Sequence, residues 1–95
     1  MKKPSAYAFK HKVQRKLENE HFIVAPIADS TFPIDLLAFR EDGTRGYRIK
    51  AHGKIYDAEL QTLRKLAREL KIKVFTAKEN AAREIIIWDV NSRPH

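Results

Sequence analysis

Apolar positions fall into two stripes at helical spacing and several short runs with strand character. Ala6, Phe9, Val13 and Leu17 recur every three or four residues, which predicts a helix from an N-cap at Ser5 to about Glu20. Phe22 to Ala28 is a near-continuous apolar run broken by Pro26. Proline cannot donate to a sheet ladder, so this strand is expected at an edge or a bulge. Ile34 to Phe39 and Gly46 to Ala51 flank the segment Glu41-Asp42-Gly43-Thr44. Asp and Gly accept left-handed backbone, and the pattern reads as a β-hairpin. Strand residues two apart share a face, so Arg48, Lys50 and His52 are expected on one side and Tyr47, Ile49 and Ala51 on the other.

His52-Gly53-Lys54 breaks the strand pattern. Asp57 reads as the N-cap of a second helix to about Lys71, with Glu59 well placed in its first turn. Leu60, Leu63, Leu66, Ala67 and Leu70 form the stripe expected to be buried, with Arg64, Lys65 and Arg68 outside. A short strand over Lys73 to Thr76, a charged connection over Ala77 to Arg83 and a strand over Glu84 to Val90 complete the chain. The last strand carries Ile85, Ile86, Ile87 and Trp88, a continuity that predicts cover on both faces. The order αβββαββ predicts an α/β fold, one mixed β-sheet flanked by helices. It spans residues 5–90 as a single domain, with a basic flexible tail over 1–4 and a disordered tail over 91–95.

Composition narrows the function classes. The 95 residues suffice for one core, and a formal net charge of +7 favours a polyanionic partner, nucleic acid first. The absence of cysteine removes disulfides, thiol catalysis and cysteine-based zinc sites. Three glycines leave no phosphate-cradling loop, and His11, His21, His52 and His95 show no ligand spacing. No long apolar segment or signal-peptide pattern is present, so a cytoplasmic location away from membranes is expected. In the first helix no acid precedes Glu18, so its cations oppose the helix dipole, a cost that bound phosphates would offset. Lys10, Lys12 and Lys16 are therefore candidate phosphate contacts, against the plainer reading of a solvated face. Tyr47, Tyr56 and Trp88 read as core or sheet-packing residues rather than base-stacking platforms.

Phe32-Pro33-Ile34-Asp35 on the first hairpin strand and Arg48-Ile49-Lys50 on the second carry a resemblance. Together with the Leu17 to Phe22 step, the Ala28-Asp29-Ser30 loop, Ile34-Asp35-Leu36-Leu37-Ala38 and Gln61 early in the second helix, they resemble the PD-(D/E)xK, or restriction-endonuclease-like, superfamily. Within it the chain is most similar to archaeal Holliday-junction resolvases. That resemblance implies a nuclease fold, a homodimer, and a magnesium or manganese site in which Asp35 is the metal-binding acid and Lys50 the catalytic lysine. The second acid of the motif falls on Arg48, and the acid of the first helix on or beside Lys10 or His11.

A guanidinium about 5 Å from a divalent ion repels it by roughly 6 kcal/mol at an effective dielectric of about 20, and the missing carboxylate's attraction is lost too. Arg48 is expected instead to pair with Asp35 or to grip a phosphate alongside Lys50 and His52. The favoured reading is a nucleic-acid-binding protein, DNA first, of nuclease shape with an inactive, metal-free site, its contacts drawn from Lys10, Lys12, Lys16, Arg48, Lys50, His52 and Lys54. One alternative is an active metal-dependent endonuclease in which Asp57 or Glu59 supplies a migrated acid to Asp35. Another is a non-catalytic subunit of a larger complex. The plain structural reading of Asp35 and Arg48 is a cross-strand ion pair.

Overall fold

The computed structural model describes residues 5–29, 31–51 and 54–92. Helix α1 (Ser5–Asn19) is followed by strands β1 (Ile23–Pro26), β2 (Leu36–Arg40) and β3 (Gly43–Lys50), helix α2 (Asp57–Leu70), and strands β4 (Lys73–Glu79) and β5 (Ile85–Asp89). The predicted αβββαββ order is thus observed. The five strands lie in sequence order across one sheet. All neighbours are antiparallel except β3 and β4, which run parallel because α2 carries the chain back between them.

Each helix covers one face, as the alternation along the strands dictates. Phe9, Val13 and Leu17 of α1 pack with Leu36, Ala38, Tyr47 and Ala77, and Ile49, Ala51, Phe75, Ile85 and Ile87 lean on that cluster. Leu63 and Ala67 of α2 pack with Ile34, Val74 and Val90 on the other face. Tyr47 and Phe75 stack across the parallel pair with centroids 5.2 Å apart.

Both helices stop without glycine. His21 (φ 73) and Lys71 (φ 57) take the left-handed conformation. The following N–H groups of Phe22 and Ile72 then return to the carbonyls of Leu17 (3.1 Å) and Ala67 (3.2 Å). In the hairpin, Arg40 pairs with Gly43 across Glu41 and Asp42, and the positive φ falls on Gly43 at 139°.

Several expectations are corrected. Pro26 does lie on an edge strand, since β1 pairs with β2 alone. β5 is the other edge and Ile86 on it is exposed, so that strand is not covered on both faces along its length; α2 meets the chain just past it, where Arg64 Nε donates to the Val90 carbonyl at 2.7 Å. β4 extends to Glu79, three residues past the expected end at Thr76, because Ala77, Lys78 and Glu79 pair with Ile87, Ile86 and Ile85. Leu70, at the end of α2, is half exposed rather than buried, and Tyr56 is exposed rather than packed. Asp57 is the first helical residue and not the cap; Tyr56 holds the N-cap position and makes no side-chain capping bond. Asn91 and Ser92 continue into a turn held by Asp89, whose carboxylate and carbonyl accept their N–H groups at 2.8 and 2.9 Å. The rest of the two expected tails, over 1–4 and 93–95, lies outside the described residues.

Candidate functional site

Asp35 stands immediately before β2, where the ladder to β3 begins. Its N–H donates to the Tyr47 carbonyl and its own carbonyl accepts from Ile27 N–H, both at 2.8 Å, so its backbone is fixed between β1 and β3. The Asp35 carboxylate accepts the N–H of Ile49 at 2.8 Å, replacing a ladder partner past the start of β2. Pairing of Leu36 with Tyr47 places Asp35 beside Arg48 on the face covered by α2.

Arg48 donates from Nη1 to Asp35 Oδ2 at 3.4 Å and from Nε to Glu59 Oε2 at 2.7 Å. Lys50, two residues on and therefore on the same face, donates to the other Glu59 oxygen, Oε1, at 3.2 Å. Glu59 reaches the sheet from the first turn of α2. The four side chains are 23–27% exposed, so their charges are only partly solvated. Burial pushes the Glu59 carboxyl up, but hydrogen bonds from Arg48 and Lys50 outweigh it and hold the group below the ordinary carboxylate range. Two acids and two bases thus neutralise one another.

This donor set does not fit a divalent ion. Magnesium is held through one or two carboxylates, with waters completing its shell. Among the described residues no group of three or more His, Asp or Glu side chains could hold a metal. The two carboxylates present, Asp35 and Glu59, are spanned by the Arg48 guanidinium, whose charge and donors already satisfy them. Of the two acids offered for a migrated site, Glu59 is brought to Asp35's neighbourhood, while Asp57 is exposed and makes no ion pair among the described residues.

The cations named from the sequence do not converge. Lys10, Lys12 and Lys16 belong to α1, on the face of the sheet opposite Arg48 and Lys50. Lys12 is paired with Glu79 at 3.2 Å and bonded to the Arg83 carbonyl, and Lys16 is paired with Glu20 four residues on. Lys54 is exposed in the connection before α2, and His52 lies outside the described residues.

Sequence reasoning missed three neighbours of the site. The parallel register sets Thr76 beside Arg48 and Lys78 beside Lys50. The antiparallel register of the last pair then sets Trp88 beside Thr76. One row across three strands therefore reads Arg48, Thr76, Trp88. The row emerges only from these two registers together, and no local sequence signal encodes the parallel one.

No family model matches the chain, and no curated protein matches it. Among solved structures, its fold is similar to that of Hjc from Archaeoglobus fulgidus, a Holliday junction resolvase from an archaeal hyperthermophile, with a TM-score of 0.75 and 16% sequence identity over 95% of this chain and 78% of that one. The chain therefore has the mixed α/β fold of that resolvase, with a five-stranded mixed sheet and two helices.

Proposed function

We propose that the chain is a nucleic-acid-binding protein, with DNA and its branched forms as first candidates, that keeps a nuclease-like fold and does not cut. The observation that carries this reading is the Arg48 guanidinium bonded to both Asp35 and Glu59, a fixed cation between the two acids a metal would need. The net charge of +7 and the likeness to a junction resolvase support a nucleic acid as the partner. The binding surface is the α2 face around Arg48, Lys50 and Lys54, and it contacts the sugar-phosphate backbone and not base sequence. A cytoplasmic homodimer, presenting two such surfaces to adjacent duplex arms, is the assembly this reading expects.

The test is a gel-shift panel of branched, linear and single-stranded DNA and RNA, run with and without manganese. Retardation that weakens steeply with salt and leaves the substrate intact is the expected result. Nicking that disappears in Asp35→Ala overturns it. Such nicking would establish a second reading, an active endonuclease, which the position of Glu59 beside Lys50 favours and which requires Arg48 to leave the two acids.

A further inference from the structure

The Glu59 carboxylate is held as a phosphate would be held. One oxygen takes Arg48 Nε and the other takes Lys50 Nζ. A backbone phosphodiester offers the same two acceptors, with its charge spread over two non-bridging oxygens. Beside this clasp the same face carries polar groups that no protein group answers. Thr76 is fully buried and its hydroxyl has no hydrogen-bond partner; the Trp88 indole N–H, its cross-strand neighbour, is buried and has none either. Lys78, the register partner of Lys50, is half-buried and makes no ion pair among the described residues. An indole N–H and an ammonium can only donate, and a hydroxyl donates readily. Buried polar groups ordinarily find partners, so a row of unanswered donors beside two cations calls for an anion.

We propose that Glu59 is a built-in stand-in for a nucleic-acid backbone phosphate: it occupies the Arg48 and Lys50 clasp in the free chain and is displaced by the phosphate, which also engages Lys78, Thr76 and Trp88. This rests on the nucleic-acid reading above and adds a defined subsite to it. The exchange keeps Arg48 and Lys50 paired throughout and lets one anion replace another. It also sets selectivity. A weak or singly contacting anion does not displace a carboxylate tethered to α2, whereas a polyanion held elsewhere along its length does, because its local phosphate concentration is high.

Trp88 is the sole tryptophan of the chain, so its emission reports on this row directly. The experiment titrates a short DNA duplex into the wild-type protein, Glu59→Gln, Thr76→Val and Glu69→Gln, following Trp88 emission and, separately, the anisotropy of labelled duplex. Glu69 is exposed on α2 outside the clasp and controls for the general effect of removing one negative charge. Glu59→Gln is expected to bind about ten-fold tighter than wild type, with a clearly smaller gain in Glu69→Gln. Thr76→Val is expected to bind several-fold more weakly with its thermal midpoint undiminished. Wild-type emission should shift on binding. Equal gains in the two glutamine variants, or binding with no change in Trp88 emission, overturn the subsite while leaving nucleic-acid binding intact. No binding by any of the four proteins overturns the underlying reading itself. Should Glu59→Gln fail to fold, Thr76→Val and the wild-type emission decide the matter.

Discussion

Arg48 Nε lies 2.7 Å from Glu59 Oε2, and this bond ties the end of β3 to the first turn of the helix that follows it. The same guanidinium reaches Asp35, so one side chain joins β2's threshold, β3 and α2. The geometry is that of a cation held where two acids converge. Its charge answers both carboxylates, and the consequences can be measured.

Removing the guanidinium should loosen the domain. Arg48→Ala leaves Asp35 and Glu59 partly buried with Lys50 as the remaining cation, at a cost of about 1–3 kcal/mol for the lost charged hydrogen bonds. A lower urea midpoint with an unchanged slope is expected. Arg48→Glu should in addition weaken nucleic-acid binding and create a site that magnesium stabilises. Calorimetry with both ligands checks this, and unchanged behaviour in both titrations rejects the assignment of the site.

Glu59 makes stability depend on pH in a definite direction. Its carboxyl is held below the ordinary value of about 4.3, so the unfolded chain binds the proton more readily. The resulting stabilisation is fully present above about pH 4.3 and is lost as pH falls through the folded-state value. Urea midpoints of wild type and Glu59→Gln should therefore differ at neutral pH and approach each other towards pH 3. Asp29, held down by its hydrogen bonds to Thr31, and Asp42, held down by its bond to Arg40, titrate alike in both proteins and cancel. A gap that widens on acidification contradicts the assignment.

The two faces should respond differently to salt. If nucleic acid lies on the α2 face, Lys50→Gln or Lys54→Gln lowers the slope of log affinity against log salt by about 0.9, one phosphate contact. Lys12→Gln and Lys16→Gln, on the helix that covers the opposite face of the sheet, should leave the slope nearly unchanged. Anisotropy titrations over a salt series measure all four. The reverse ranking moves the interface to α1.

Gly46 lies where the chain approaches Ile34. A Cβ at Gly46 would stand 2.7 Å from Ile34 Cδ1, so Gly46→Ala forces that buried methyl aside. The expected loss is about 1–3 kcal/mol. Ile34→Val removes the clashing atom at its own cost of about 0.5–1.5 kcal/mol. In a double-mutant cycle the combined loss should fall short of the sum, and strict additivity would show that the clash relaxes elsewhere.

Tyr56 is a poor residue for its position. It caps α2 with an extended backbone (φ −84°, ψ 160°) but offers the helix no side-chain acceptor. Tyr56→Ser supplies one and should stabilise the protein by about 0.5–1 kcal/mol, read as a raised thermal midpoint. A fall instead would mean that the exposed ring serves a purpose that capping does not replace.

Much of the fold was legible because the signals were local. Phe9, Val13 and Leu17 announced α1, and Leu63 and Ala67 announced α2, by spacing alone, and Pro26 marked an edge. The alternation Tyr47, Arg48, Ile49, Lys50 correctly split core from site. The helix ends were legible too, but not their chemistry, since His21 and Lys71 do the work of glycine under tertiary constraint. Asp57 looked like a cap by residue type, yet the chain enters α2 one residue earlier. The length of β4 was hidden because Lys78 and Glu79 are polar; their place in the ladder comes from pairing with Ile86 and Ile85. At the site, Asp35, Arg48 and Lys50 were readable from the hairpin. The choice of Glu59 over Asp57 depended on helix phase, and the separation of the α1 lysines from Arg48 depended on which face each helix takes.

The parallel pairing of β3 with β4 also bears on synthesis. Arg48 and Glu59 emerge from the ribosome before Lys73 to Glu79, and until those residues dock, β3 is an open border of a three-stranded sheet. If the proposed phosphate subsite is correct, it is complete only once the last quarter of the polypeptide has emerged. A product truncated after α2 keeps the clasp's residues but none of the row beside them, and it is expected to be silent rather than a competitor of the finished molecule.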